Sequence, residues 1–201
     1  MQEYEAIALL KQGNISGLEA LVKMYQVKAL RAAYLIVRDY NLAEDIVQDA
    51  FLRAYERINQ FDVKRPFGPW FFRIVVNIAK RAAVQRERHV SIDNLNADEE
   101  KALDEIMAEL KTGTEAMTEQ HELQQMVWTA LGRLPPTQRI AIIERYYLDM
   151  TDKQIAARSE VPLGTLKWRL HTASKQLRAW LSQKGQISLY NPHKSKKEIE
   201  P

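Results

Sequence analysis

The sequence predicts an all-α fold of two small helical domains joined by an acidic linker. Apolar residues recur at helical spacing through most of the chain, and no segment alternates with the period of two that marks a half-buried strand. The charge also changes sign twice: residues 1–92 carry 14 Lys and Arg against 10 Asp and Glu, residues 93–122 carry 2 against 10, and residues 123–201 carry 13 against 6. We therefore predict domains at 1–92 and 123–182, a flexible linker at 93–122 and a polar tail at 183–201.

The composition excludes several classes of protein. The chain has 201 residues, 46% of them hydrophobic, and no Cys, so it can form globular cores but has no disulfide, no thiolate metal site and no Cys nucleophile. Its first residues lack the basic start and apolar core of a signal peptide. No apolar run approaches the roughly 18 residues of a membrane span. We expect a cytoplasmic protein without membrane insertion.

Capping-box spacings predict three helix starts. In this pattern a Ser, Thr or Asn caps the helix and a Glu or Gln three residues later returns the hydrogen bond. The pairs are Ser16 with Glu19, Asn41 with Glu44, and Thr151 with Gln154. Within the linker, a short helix is predicted around 99–110.

A loop and a basic helix end the first domain. The segment "FDVKRPFGPW", residues 61–70, holds two Pro and one Gly, so we predict a loop and then a helix from near Pro69. That helix begins with three aromatic residues and then places Arg73, Asn77, Lys80 and Arg81 on one face. Aromatic rings beside a basic, amide-bearing face suit unstacked bases. Alternatively, the individual rings belong to the core.

The second domain contains a helix-turn-helix pattern. "DKQIAARSE" and "TLKWRLHTASKQL" are two amphipathic segments separated by a short break at Val161 to Gly164, and the second helix of such a motif enters the DNA major groove. Five of its residues lie outside the apolar stripe: Lys167, Trp168, His171, Thr172 and Lys175. Their side chains can contact base edges, phosphates or a thymine methyl. Alternatively, Trp168 packs on the preceding helix and His171 faces water.

An enzyme is disfavoured by the absence of catalytic spacing. The four His residues lie at 89, 121, 171 and 193, which is no metal-ligand spacing, and no GxxxxGK phosphate loop is present. We predict no catalytic residue, no metal and no cofactor. Two alternatives stay open on the residues alone, a stand-alone helix-turn-helix regulator that binds only duplex DNA and an unrelated helical nucleic-acid enzyme.

Two segments resemble one known family. "LAEDIVQDAFLRAYERINQFD…RPFGPWFFRIVVNIAKR" and "ALGRLPPTQRIAIIERYYLDMTDKQIAARSEVPLGTLKWRLHTASKQL" are similar to regions two and four of bacterial extracytoplasmic-function (ECF) RNA polymerase sigma factors, of the sigma-70 family. The resemblance implies an alternative sigma factor that binds core RNA polymerase through the largest-subunit clamp and the flap. It also implies recognition of promoter minus-thirty-five and minus-ten elements, promoter melting, and inhibition by an anti-sigma factor.

The resemblance assigns candidate residues to three surfaces. Polymerase contacts are expected on the helix from Ala43 to Arg57, at Asp45, Gln48, Asp49, Arg53 and Arg57. Contacts to the minus-ten element are expected at Phe61, Asp62, Lys64, Arg65, Phe67, Trp70, Arg73, Asn77, Lys80 and Arg81. Contacts to the minus-thirty-five element are expected at Thr165, Lys167, Trp168, Arg169, His171, Thr172 and Lys175. Because Trp168, Thr172 and Ser174 depart from the family pattern "TVKSRLHRAR", the resemblance does not imply which bases are read.

Overall fold

The computed structural model describes residues 2–89 and 116–183 of the chain. These residues form eight α-helices and no β-strand, which confirms the all-α prediction. The helices are α1 (Glu3–Lys11), α2 (Ser16–Val37), α3 (Tyr40–Glu56), α4 (Phe67–His89), α5 (Ala116–Gly132), α6 (Pro136–Ile142), α7 (Asp152–Ser159) and α8 (Leu163–Gln183). A 3-10 turn at Ile58–Gln60 follows α3, and a π-helical turn at Ile143–Tyr147 continues α6. The predicted helix around 99–110 lies outside the described residues.

The first domain is built around α2, which packs against α1, α3 and α4. Aromatic rings fill the space between α2 and α4: Tyr25 lies 5.4 Å from Phe67 and 5.9 Å from Phe71 between ring centroids. Phe51 of α3 lies 4.4 Å from Phe71. Burying such rings stabilises a core through their large apolar area and their favourable edge-to-face contacts. This core holds α4, and the loop before it, in a fixed position.

Two of the three predicted helix starts are placed differently in the structure. Ser16 does not cap α2; the side chain of Asn14 accepts hydrogen bonds from the Ser16 amide at 3.0 Å and from its hydroxyl at 2.8 Å. Asn41 does not cap α3, because the Asp39 carboxylate accepts a hydrogen bond from the Leu42 amide at 3.0 Å. The prediction for Thr151 is confirmed. Its hydroxyl accepts from the Gln154 amide at 3.3 Å, while Gln154 accepts from the Thr151 amide at 2.8 Å.

The Thr151 cap gives a stability prediction. Thr151→Ala removes the acceptor for the amide at the start of α7, and we expect it to lower the free energy of unfolding of the second domain by about 1 kcal/mol. Ser182→Ala is the matched control, since Ser182 is exposed inside α8 and its hydroxyl caps no helix start. Chemical denaturation followed by circular dichroism measures both. Equal midpoints for the two variants would contradict the role of the cap.

Helix α4 begins at Phe67, two residues before the predicted start at Pro69. Pro69 therefore lies inside the first turn. A proline is tolerated there because the first amides of a helix have no carbonyl partner to lose. The loop is correspondingly shorter than predicted.

The second domain comprises α5 to α8. Helix α5 begins at Ala116, inside the segment that we predicted as linker. The helix-turn-helix is formed by α7 and α8, and Leu166, Leu170 and Ala173 of α8 are buried while Leu177 is half-buried. The left-handed residue of the turn is Glu160, with φ of 55°, and not Gly164, which lies in the first turn of α8. In the described residues no helix is long and apolar enough to cross a membrane.

Candidate nucleic-acid interface

The loop before α4 is anchored at both ends by buried aromatic rings. Phe61 is 3% exposed and Phe67 is 0% exposed, and the half-buried Trp70 packs on both, with centroid distances of 5.0 and 5.4 Å. Both rings are enclosed by the core, and the contact of Phe61 and Phe67 with DNA stays a prediction. They position the exposed residues between them, from Asp62 to Pro66.

Helix α1 holds this loop from the side of the core. The Lys11 ammonium donates a hydrogen bond to the Phe61 carbonyl at 2.7 Å, and the Phe67 amide donates to Glu3 at 3.4 Å. The hydroxyl of Tyr25 also donates to Glu3. Burial, reinforced by the Glu3 carboxylate, raises the pKa of Tyr25 above its ordinary value, so the phenol stays protonated as a donor. Both ends of the loop are thus fixed by α1.

The exposed part of the loop is a charged turn with one apolar residue at its tip. The Asp62 carboxylate accepts from the Lys64 amide at 3.0 Å and lies 3.5 Å from the Arg65 guanidinium. Val63, which the sequence analysis did not select, is 64% exposed. In the sequence, Val63 is distinguished only as an apolar residue among charged ones in a turn that contains Pro66. The loop therefore presents two cations and an apolar group to solvent.

The predicted polar face of α4 is divided between solvent and the second domain. Arg73 and Arg81 are exposed, whereas Asn77 and Lys80 are half-buried. The side-chain oxygen of Asn77 accepts a hydrogen bond at 3.1 Å from Arg158 of α7. The four residues do lie on one face, but its centre contacts the second domain.

Arg158 belongs to a buried ion pair that the sequence analysis missed. Its guanidinium contacts the carboxylate of Glu144 in the π-helical turn, and both side chains are almost fully enclosed. Burial raises the pKa of Glu144 above its ordinary value, while Arg158 and Lys80 act in the opposite direction. The only sequence signal was an acidic residue inside the apolar run from Ile140 to Tyr147. The pair fixes α7 against the turn that precedes it.

The outward face of α8 is as the helical spacing predicts. Lys167, His171 and Lys175 are exposed, and Trp168 is 61% exposed. This exposure excludes the alternative in which Trp168 packs on the preceding helix. Thr165, Arg169 and Thr172 are half-buried at the edges of the same face. The second helix of the motif therefore offers cations, an imidazole and an indole to a ligand.

The predicted polymerase contacts lie along α3 and at Arg57, the residue that directly follows it. Asp45, Gln48 and Arg57 are exposed, and Asp49 and Arg53 form an ion pair one helical turn apart at 2.9 Å. Beside them lie two exposed apolar side chains that the sequence analysis did not select, Leu52 and Tyr55. Charged and apolar groups together are suited to a protein partner.

Comparison with known proteins identifies the family. The family model described as Sigma-70 region 2 matches residues 21–89 of the chain. The model described as Sigma-70, region 4 matches residues 124–177. The chain is 30% identical to the ECF RNA polymerase sigma-E factor of Escherichia coli strain K12 over 176 residues, which cover 84% of this chain and 88% of that protein. It is 28% identical to the ECF RNA polymerase sigma factor SigW of Bacillus subtilis over 177 residues, which cover 87% of this chain and 94% of that protein.

Solved structures share the two-domain fold. CnrH, in complex with the cytosolic domain of CnrY, superimposes with a TM-score of 0.60 at 22% identity, over 90% of this chain and 97% of that chain. RpoE of Bartonella quintana, in complex with the anti-sigma factor NepR, gives a TM-score of 0.58 at 23% identity. The superposition covers 82% of this chain and 94% of that chain. The chain belongs to the ECF sigma factors of the sigma-70 family, the non-catalytic RNA polymerase subunits that direct the enzyme to promoters.

Proposed function

We propose that the two domains divide promoter recognition between an opened strand and duplex DNA. The first domain engages the minus-ten element through the Asp62 to Pro66 loop and the polar face of α4. The second domain reads the minus-thirty-five element through α8. The exposed face of α8 carries this proposal, because Trp168 and three cationic or imidazole side chains project from the second helix of a helix-turn-helix motif.

The minus-ten contact rests on the loop and on α4. Lys64, Arg65, Arg73 and Arg81 are exposed cations and can neutralise the phosphates of a single strand. Val63, at the loop tip, offers an apolar contact to an unstacked base. Phe61, Phe67 and Trp70 act as positioning residues, since their packing fixes the loop.

The partners follow from the exposed face of α3 and from the shared fold. We propose that Asp45, Gln48, Asp49, Arg53 and Arg57, with Leu52 and Tyr55 beside them, contact core RNA polymerase. We further propose that an anti-sigma factor binds this chain. The fold-matched proteins CnrH and RpoE, solved in complex with the cytosolic domain of CnrY and with NepR, support this second proposal.

Transcription from a randomised promoter library tests the division of labour. Core RNA polymerase with this protein should yield discrete starts that share two upstream motifs, read by sequencing the transcripts. His171→Ala should alter only the distal motif. Replacing Lys64 and Arg65 with Gln should reduce transcript yield without altering the distal motif. A change in the same motif for both variants, or duplex binding without polymerase-dependent initiation, would overturn the proposal.

A further inference from the structure

The minus-ten loop, which we define as residues 62–66, is held at both ends by side chains that have no part in the DNA contacts proposed above. Glu3 and Lys11 are the first and last residues of α1, and Tyr25 lies in α2. All three are half-buried, and each contacts a backbone group of a residue that flanks the loop. We call these three the anchor residues.

The start of α4 takes its caps from the anchor residues. The residue before α4 is Pro66, whose ring carries no acceptor, although the first amides of a helix have no intrahelical partner. Glu3 accepts a hydrogen bond from the Phe67 amide at 3.4 Å, and the Gly68 amide hydrogen-bonds the Tyr25 hydroxyl. Helices α1 and α2 therefore supply the cap that the local sequence lacks.

Glu3 and Tyr25 hold the start of α4 as a unit. The Tyr25 hydroxyl donates to the Glu3 carboxylate, and the Tyr25 ring packs on those of Phe67 and Phe71 at 5.4 and 5.9 Å. A Cβ at Gly68 would lie 3.3 Å from this ring, so ring and backbone are in close contact. The Glu3 charge is also favoured near the positive end of the helix dipole. The first turn of α4 cannot shift without breaking these contacts.

Lys11 holds the other end of the loop. Its ammonium donates a hydrogen bond to the Phe61 carbonyl at 2.7 Å, and the Phe61 amide donates to the Ile58 carbonyl at 3.1 Å. A charged donor makes such a bond about twice as strong as a neutral one. Because Glu3 and Lys11 belong to one helix, α1 fixes the separation of the two loop ends.

The position of the loop tip depends on these fixed ends. Inside the loop, the Arg65 amide donates to the Asp62 carbonyl at 3.0 Å and the Lys64 amide to the Asp62 carboxylate at 3.0 Å, which makes a compact turn. Val63 at the tip is 64% exposed and takes little support from the core. A contact surface that is fixed before binding discriminates between ligands, since it cannot adapt to a wrong one.

We propose that Glu3, Tyr25 and Lys11 are positioning residues that set how sharply the loop discriminates between bases of the minus-ten element. This inference rests on the proposed assignment of the loop to that element. The anchor residues act by holding Phe61 and Phe67, and therefore the loop between them, in one place. Loosening either end should reduce selectivity where the loop reads a base and leave the distal motif unchanged.

Variants that remove single polar groups test the positioning. Tyr25→Phe removes only a hydroxyl and keeps the ring, and Lys11→Met removes the ammonium and keeps most of the apolar stem. Transcription by the holoenzyme from the randomised promoter library gives the ratio of the preferred base to the others at each proximal position. We expect each variant to lower this ratio about tenfold at the position that the loop reads, as for the loss of one hydrogen bond to a charged group. Lys11→Arg keeps a charged donor and should keep the ratio of the unsubstituted protein.

A stability control separates positioning from a general loss of structure. Val37 is the last residue of α2 and is 4% exposed, so Val37→Ala should lower the unfolding midpoint of the first domain without changing the base ratio. Circular dichroism measures the midpoint of each variant. An equal loss of selectivity in Val37→Ala would overturn the inference. So would a loss of transcription in Tyr25→Phe and Lys11→Met that is uniform over all bases.

The library also separates failure of this inference from failure of the proposed function. If replacing Lys64 and Arg65 with Gln lowers the transcript yield, but Tyr25→Phe and Lys11→Met leave every base ratio unchanged, the positioning is overturned and the loop assignment stands. If the selected promoters share no proximal motif, or if the Lys64 and Arg65 replacements change nothing, the loop assignment is contradicted and the inference with it.

Discussion

Gly17→Ala is expected to separate α1 from α2 and to lower the free energy of unfolding of the first domain by about 3 kcal/mol. A Cβ at Gly17 would lie 2.3 Å from the Ala6 carbonyl oxygen and 2.7 Å from the Leu10 amide nitrogen. Both atoms belong to the backbone of α1, which cannot rotate away as a side chain could. The gain in helix propensity on replacing Gly with Ala, about 1 kcal/mol, is smaller than this cost.

The same substitution is expected to reduce transcription, because α1 holds the minus-ten loop. Lys11 and Glu3 bond to the backbone at the two ends of that loop, so displacing α1 removes both contacts. Gly164→Ala is the matched control, since a Cβ there meets nothing within 4 Å and the residue lies in a helix. Thermal unfolding should show a lower midpoint for Gly17→Ala and an unchanged or higher one for Gly164→Ala. Equal midpoints would show that α1 is not packed as described.

The sequence predicts most clearly those features that depend on local spacing. The apolar stripe of α8 fixes which residues are buried, and Trp168 is exposed because it lies outside that stripe. Thr151 caps α7 because Gln154 stands at the right distance along the chain. Asn41 fails as a cap for an equally local reason: Asp39, two residues earlier, caps the helix through the Leu42 amide, so Asn41 already lies inside the first turn. Where two capping residues compete, spacing alone does not decide between them.

The sequence does not predict features that join distant parts of the chain. The sequence pattern around Phe61 and Phe67 is equally consistent with exposed and with buried rings. Their burial results from packing against Tyr25, Trp70 and Phe71. Arg158 and Asn77 are 81 residues apart, and neither periodicity nor charge relates them. The contact between the two domains depends on such pairs, and no local pattern in the sequence predicts it. The exposed faces of the candidate site therefore follow from local spacing, whereas the contact of Asn77 with Arg158 does not.

Trp168→Ala is expected to weaken binding of the second domain to the minus-thirty-five duplex by about 1–3 kcal/mol, or roughly 5- to 150-fold. The indole is 61% exposed on the face of α8 that also carries Lys167 and His171, so removing it takes a large apolar contact from the DNA and little from the core. Stability should therefore change by less than about 0.5 kcal/mol. Loss of affinity with intact folding is the result that separates a reading residue from a packing residue.

A matched aromatic substitution gives this prediction its control. Tyr146→Ala removes a ring that is 66% exposed in the same domain but lies in the π-helical turn, outside α8. Fluorescence anisotropy with the selected duplex should show weaker binding for Trp168→Ala and unchanged binding for Tyr146→Ala. If Trp168 contacts a thymine methyl, its loss should relax selectivity at one base pair, whereas a contact to sugar or phosphate would weaken all sequences equally. Equal affinities for Trp168→Ala and the unsubstituted protein would remove Trp168 from the recognition surface and leave the reading of the duplex to Lys167, His171 and Lys175.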